Sequence, residues 1–412
     1  MSAVDELVER LCPDGVEYRA LGDIADYVRG VTYSKNQEQV DGPILVLRAN
    51  NISLASNTLN FDSVKSVSAD VRVRSDQMLR ADDILISAAS GSRDHVGKVA
   101  FIDKDLPYCF GGFMAVVRVR SSLEPRFLFH LLTGHSFAIY LEHTLSTTTI
   151  NNLSSSIMKA FKIPVPPLEV QREIVRILDQ FTQLEAELEA ELEARRLQYG
   201  HYRDELLLRA SAGTPHLQLG ELGRIVTGRT PKGSDATAWG GCVPFITPTD
   251  IKNGMKTVIR TARYLSATGV EGMARVMIPP RSLLVTCIGA DMGKTVINAE
   301  GCATNQQINT IIPSAMWDVD YGFHVLTAMR ARIRGLGERA AGTMPILNKG
   351  DFSRIEVSVP TLDVQRDAAA KLDQFDALVN DLTVGLPAEI AARRQQYEHY
   401  RDRLLTFKER AA

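Results

Sequence analysis

Residues 289–295 read GADMGKT and follow the strand-like run LLVTCI. In a P-loop, backbone N–H groups of a glycine-rich turn cradle phosphates, the lysine reaches the outer ones and the hydroxyl binds Mg2+. That chemistry needs four residues between the first glycine and the Gly-Lys pair. Here three residues separate Gly289 from Gly293, and Ile288 stands where the glycine belongs. The matching stretch of the first half, SGSRDHVGK (90–98), has no Ser or Thr after Lys98. Both read as loops after a strand with a lysine near the tip. A nucleotide site is not expected, although either lysine could meet a phosphate. The five cysteines, Cys12, Cys109, Cys242, Cys287 and Cys302, include no CxxC pair and no accompanying His cluster. Reduced, buried thiols are expected, with no metal site and no disulfide framework.

Composition sets the outer bounds. The chain has 412 residues, 45% hydrophobic and 23% charged, with net charge −2. That is soluble globular composition with length for two or three domains. The start, MSAVDELVER, is acidic and lacks an apolar core, and no apolar run is long enough for a bilayer, so a cytoplasmic protein without membrane contact is expected. Charge is uneven. Residues 1–150 carry 15 Lys+Arg against 19 Asp+Glu, whereas residues 213–355 carry 16 against 10. A polyanion partner fits the second of these best.

The elements that hold the loops are written twice. VPPLEVQREIVRILDQF (165–181) and VPTLDVQRDAAAKLDQF (359–375) share 10 of 17 residues. RRLQYGHYRDELL (195–207) and RRQQYEHYRDRLL (393–405) share 10 of 13. LGDIADYVRGVT (21–32) lines up with LGELGRIVTGRT (219–230). After Pro166-Pro167, apolar residues recur at helical spacing from Ile174 through Ile177, Phe181, Leu184 and Leu188 to Leu192. No proline or glycine intervenes before Gly200, and 184–195 is the tetrapeptide array LEAELEAELEAR. Ala, Leu and Glu are strong helix formers. The pattern predicts one helix over about 168–210, roughly 60 Å long. In the second copy Gly385-Leu386-Pro387 predicts an interruption. The segments between, 1–162 and 212–356, alternate short β-rich runs with turns and end in helical stretches near 126–142 and 320–335. The expected fold class is α+β: two similar α+β domains (1–162 and 212–356) separated by two long helical spacers (163–211 and 357–412). The spacers pair as an antiparallel coiled coil, and the whole has an internal pseudo-two-fold repeat.

These doubled PxLxVQR…LDQF and RRxQYxHYRDxLL blocks, with the LEAE array and the opening CPDGVEYRALGDI, resemble the specificity (S) subunit of type I restriction–modification systems. The resemblance covers essentially the whole chain. It implies two target recognition domains, each reading one half of a split site on double-stranded DNA. It implies helical spacers that fix the distance between them and dock two methyltransferase (M) subunits, with motor–nuclease (R) subunits joining. It implies no catalytic site and no cofactor on this chain; S-adenosylmethionine, ATP and Mg belong to partner subunits. Consistent with that, neither N-P-P-[FYW] nor D-P-P-Y, the adenine methyltransferase tetrapeptides, occurs.

Residue chemistry then nominates contacts. Arg presents two donors to guanine, Asn pairs with adenine, and Lys or Arg anchors phosphates. In the first domain these are Arg48, Asn50 and Asn51, then Ser90, Ser92, Arg93 and Lys98. In the second they are Arg229 and Lys232 as phosphate anchors, with Thr247, Thr249, Asp250, Lys252, Asp291, Lys294, Asn305, Gln306 and Gln307. The bland alternative for Asn50-Asn51 is turn formation, and for Gln306-Gln307 the bracing of a neighbouring loop. The block Tyr199, His201, Tyr202, Arg203, Asp204 and its copy Tyr397, His399, Tyr400, Arg401, Asp402 fit M-subunit docking and helix packing equally. A recognition portion of a fused restriction–methylation enzyme and a coiled-coil scaffold without DNA binding are the competing classes.

Overall fold

The computed structural model describes residues 3–53, 56–90, 95–120, 123–145, 152–232, 235–340, 344–380 and 385–411. Two compact units emerge. The first joins residues 1–186 to 392–412, and the second comprises 187–391.

In the first unit a four-stranded sheet runs in the order Ala25–Arg29, Met114–Val119, Ile84–Ser87, Val99–Phe101, antiparallel throughout. Ile84–Ser87 is buried along its whole length and Met114–Val117 with it, both largely apolar on two faces, as strands covered on two sides must be, while Arg118 and Val119 at the strand end are half-buried. A second four-stranded sheet holds Ile44–Leu47, which pairs in parallel with Cys109–Phe110. The helix Pro125–Thr133 covers the core, its proline at the first turn, where no backbone donor is needed.

The second unit repeats this plan. Gly223–Thr227, Ile308–Pro313, Leu283–Thr286 and Thr295–Asn298 follow one another, with Thr257–Val258 added at the edge. Trp239–Ile246 pairs in parallel with Ala303–Thr304, the counterpart of the pairing in the first unit. Each domain is closed by a short antiparallel pair, Tyr18–Ala20 with Lys162–Pro164 and His216–Gln218 with Glu356–Ser358.

The first long helix spans Leu168–Ala210, 43 residues, and the second helical segment comes as Leu362–Asn380 and Leu386–Leu404. The first runs unbroken through Gly200, whereas the second piece of the other begins just after Gly385 with Pro387 in its first turn, where proline is tolerated. The apolar stripe differs in detail from the expected one. Val170, Ile174 and Leu178 are buried, while Leu184 is 51% exposed. Helix segments pair antiparallel inside each unit. In the first, Phe181 stacks on Tyr400 with ring centroids 5.6 Å apart, and Glu185 further on pairs with Arg394 further back. In the second, Tyr202 packs on Phe375 at 4.7 Å, and Leu192, Tyr199, Leu372, Val379 and Ile390 form one apolar cluster.

Four cysteines are buried as expected, but Cys242 is exposed, because it lies in the exposed first part of its strand beside Gly240 and Gly241. Among the described residues no group of three or more His, Cys, Asp or Glu could hold a metal ion. No helix among them is long and apolar enough to cross a membrane.

Candidate nucleic-acid interface

The GADMGKT stretch is a hairpin turn. Leu283–Thr286 enters it, Thr295–Asn298 leaves it, and the two strands are antiparallel. A P-loop instead hands its phosphates to a helix N-terminus. Gly289 and Gly293 have φ of 96° and 83°, a left-handed backbone that a side chain resists. A Cβ on Gly293 would also lie 2.9 Å from the carbonyl oxygen of Arg330, so the turn sits tight against the helix beginning there. Lys294 is only 11% exposed, and its ammonium donates to the Ile251 carbonyl at 3.3 Å and pairs with Asp291 at 3.0 Å.

Two other candidate loops share one local design. Each is a single 3-10 turn that follows a strand with a parallel partner, Ile44–Leu47 in the first unit and Trp239–Ile246 in the second. In the first unit the Arg48 N–H donates to Asn51 Oδ1 at 2.9 Å. Asn51 Nδ2 donates to the Asn60 carbonyl at 3.1 Å, and Asn51 is wholly buried. In the second unit the Thr247 N–H donates to Asp250 Oδ2 at 2.8 Å, and Asp250 Oδ1 accepts from the Ala262 N–H at 2.9 Å. Asn51 and Asp250 are therefore the residues that shape these turns, satisfying backbone donors as capping residues do. What they leave exposed at the tips is Asn50 and Thr249. Arg48 is half-buried.

In the second unit hydrogen bonds bring the candidate loops together. The Arg229 N–H donates to the Thr304 carbonyl, the Asn305 N–H to the Ile246 carbonyl, and the Cys287 N–H to the Gln307 carbonyl. Thr230 Oγ1 donates to Gln306 Oε1 at 2.7 Å, and Asn305 Nδ2 to Gln307 Oε1 at 2.9 Å. Arg229, Lys232, Lys252 and Gln306 are exposed. In the first unit the 88–90 and 111–113 loops meet through the Ala88 and Ala89 N–H groups, which both donate to the Phe113 carbonyl. Ser90 lies half-buried there, and Lys98 is half-buried in the strand-to-strand turn. Ser92 and Arg93 lie outside the described residues. One exposed side chain in this group escaped the sequence reading: Phe113, 74% exposed. It occupies the position of Gln307, since the Cys287 N–H donates to the Gln307 carbonyl as the Ala88 N–H donates to that of Phe113. The repeat offset of 194 residues that relates the VQR blocks relates these two positions as well.

The aromatic blocks lie elsewhere, at the seam of domain and helices within each unit. In the first, His130 Nε2 meets Asp179 Oδ1 at 2.9 Å and His130 Nδ1 meets the Tyr397 hydroxyl at 3.3 Å. In the second, His324 Nε2 meets Asp373 Oδ1 at 2.7 Å and His324 Nδ1 meets the Tyr199 hydroxyl at 3.2 Å. Both histidines are fully buried. With Nε2–H given to the carboxylate, Nδ1 accepts the tyrosine O–H, an assignment set by the network. Burial pushes the His130 imidazole below its ordinary pKa. Burial alone would raise the Asp179 carboxyl, but the His130 bond and the Arg126 guanidinium more than offset it, so it falls below the usual range. Asp373 is lowered in the same way against its burial, by His324 and Lys256. Burial pushes the Tyr199 phenol up, with the neighbouring Asp376 adding to it. Arg203 and Arg401 lie over the Tyr199 and Tyr397 rings at 5.9 and 5.5 Å. Tyr202 is half-buried on Phe375, Tyr400 is 36% exposed, and His201 and His399 stay on the surface. The histidines were missed, although FHLLT (129–133) and FHVLT (323–327) repeat at the same offset of 194.

Two copies of one domain, each carrying its loop group and its seam, match one family model twice. The model is that of the type I restriction modification DNA specificity domain, over residues 13–194 and 216–392. The chain belongs to this family. Its two specificity domains resemble curated relatives as well. The specificity subunit of the type I restriction enzyme EcoR124I/EcoR124II from Escherichia coli is 33% identical over 257 residues. That match covers 60% of this chain and 63% of that subunit. A chain solved for the complex assembly and conformational transition of the type I R-M system has a TM-score of 0.56 at 18% identity, covering 95% of this chain and 97% of that chain. The type I restriction–modification S subunit from M. genitalium has a TM-score of 0.52 at 15% identity, covering 95% and 96%. At those identities the likeness is one of fold.

Proposed function

We propose that this chain is the DNA sequence-recognition subunit of a type I restriction–modification complex. It reads a bipartite target on double-stranded DNA, one specificity domain per half-site. The readers are 1–162 and 212–356, and 163–211 with 357–412 form the spacer. The observation that carries this is the pairing of a repeated scaffold with unlike loop tips. Asn50 faces solvent where the other copy has Thr249, and Phe113 stands where the other copy has Gln307. Strands, caps and His–Asp seams are kept while the exposed side chains change, which suits two readers of different half-sites.

Catalysis sits in partner chains on this reading. Two M subunits bring S-adenosylmethionine and methylate adenine, and R subunits use ATP and Mg; all act in the cytoplasm. Arg229, Lys232 and Lys252 serve as phosphate anchors, and Asn50, Thr249, Gln306 and Phe113 face base edges. A phenyl ring offers no hydrogen bond, but it can meet a thymine methyl or wedge into a base step. His201, His399 and Tyr400 form the exposed part of the aromatic blocks that an M subunit would contact.

The test is duplex binding by the full chain with its M subunit across salt concentrations. Affinity should fall steeply and linearly on a log–log plot, because each neutralised phosphate releases counterions. A salt-independent or absent interaction would favour the scaffold reading.

A further inference from the structure

The second unit contains a cavity of about 220 Å³ where its domain meets its helices. Among the described residues five cations line it: Arg196 and Arg203 from the first long helix, Lys252, Lys294 and Arg330 from the domain. One carboxylate, Asp376, lines it too, and that group accepts a hydrogen bond from Asn380 Nδ2 at 2.9 Å. Two of the five cations are neutralised locally, Arg203 by Asp204 and Lys294 by Asp291. Arg330 Nη1 donates to the Asn253 amide oxygen and Lys252 Nζ to the Thr249 carbonyl, both neutral acceptors. Gly200 and Gly293 also line the cavity, Gly200 with open space where its Cβ would be and Gly293 in close contact with Arg330.

The repeat supplies an internal control. In the first unit the same positions carry Ser53 for Lys252, Ser136 for Arg330 and Glu398 for Gly200. Arg394, the counterpart of Arg196, is paired with Glu185, whose own counterpart is the neutral Val379. A shared packing role would need the same charges in both copies. The second copy instead adds two cations and lacks the carboxylates of Glu398 and Glu185, against one carboxylate gained, Asp376 where the first copy has Thr182, and these cations line its cavity.

The geometry points to an oxyanion site of the phosphate class in the second unit only, with Arg196, Lys252 and Arg330 as its principal donors. Charge-assisted hydrogen bonds to such an anion are the strong kind, and arginine forks match its oxygens. Two sources share that chemistry, a backbone phosphodiester of bound DNA and a free phosphate. The first rests on the proposed function; the second does not.

Gly200→Glu tests it, since this change installs the first copy's carboxylate. No atom lies within 4 Å of the added Cβ, and Glu is a far better helix former than Gly, so the fold tolerates it. Gly200→Gln is the neutral control, and Arg330→Ser, the first copy's residue, is an independent second variant. Inorganic phosphate is titrated calorimetrically into the full chain, and random-sequence duplex binding is followed by anisotropy across salt. Phosphate binding should weaken about tenfold or more in Gly200→Glu and Arg330→Ser and persist in Gly200→Gln. If duplex affinity drops in the same two variants, with a salt slope shallower by about one, the anion is a DNA phosphate. If duplex binding is unchanged, it is a free oxyanion. If duplex binding is absent altogether while phosphate binding behaves as expected, the site stands and the DNA-reading function falls. Equal phosphate and duplex binding in the wild type and all three variants overturns the site.

Discussion

At the scale of single residues, several of the most faithfully repeated side chains are ones that pack. Asp179 with His130 and Tyr397, and Asp373 with His324 and Tyr199, tie helix to domain twice over. Replacing His130 by Ala removes a fully buried imidazole and strips its partners of one hydrogen bond each. The expected cost is about 2–4 kcal/mol, read as a lowered urea midpoint of the first unit's transition. Acid should act on the same knot in two stages. The His130 pKa is lowered on folding, so the unfolded chain binds that proton more readily. Its contribution is complete above about pH 6.5 and is lost as pH falls below it. Asp179 is also lowered, so its contribution is present above about pH 3.9 and is lost as pH falls through the folded value. Thermal melting between pH 7.5 and pH 5 should show the first loss, and His130→Gln should flatten it; a wild-type melting point unmoved over that span would contradict the assignment. The blocks themselves were legible as repeats. Their partners were not, because His130 and Asp179 are 49 residues apart and only the fold brings them together.

Elements were read more easily than loops. The helix Leu168–Ala210 could be bounded because two prolines open it and strong helix formers fill it. The strands Ile84–Ser87, Met114–Val119, Leu283–Thr286 and Ile308–Pro313 appear as short β-branched runs between turns. The roles inside loops were harder. Asn51 and Asp250 carry the side chains of base readers, yet both accept from the backbone N–H three residues earlier. That spacing was available as a capping pattern, but nothing local distinguishes a cap from a reader until the neighbouring strand is placed. Asp250→Ala should destabilise its turn by about 0.5–2 kcal/mol, measured as faster amide exchange over 247–252. Thr249→Ala leaves that cap intact and should alter DNA sequence preference instead. For the spacer, one LEAE unit adds about 6 Å of rise and about 40° of rotation beyond a full turn. Deleting residues 188–191 should change the length of the unread gap in the target and leave both half-sites as they were. An unchanged gap in the methylated motif would contradict a ruler role for the helix.

For the whole molecule, the doubled plan is the main result. The chain belongs to a family whose model it matches twice, and each copy supplies a domain with its own loop group. The copies differ in charge, and the cleft of the second carries Lys252 and Arg330 where the first copy has Ser53 and Ser136. On the proposed function, the chain should be co-expressed with a methyltransferase (M) subunit of its system and methylated adenines mapped across a genome. The expected result is one split motif, two short half-sites separated by a gap of fixed length and free sequence. Swapping in loop tips from the other copy should change one half-site at a time. A contiguous motif, or no methylation from a complex that nevertheless forms, would contradict two readers on one chain.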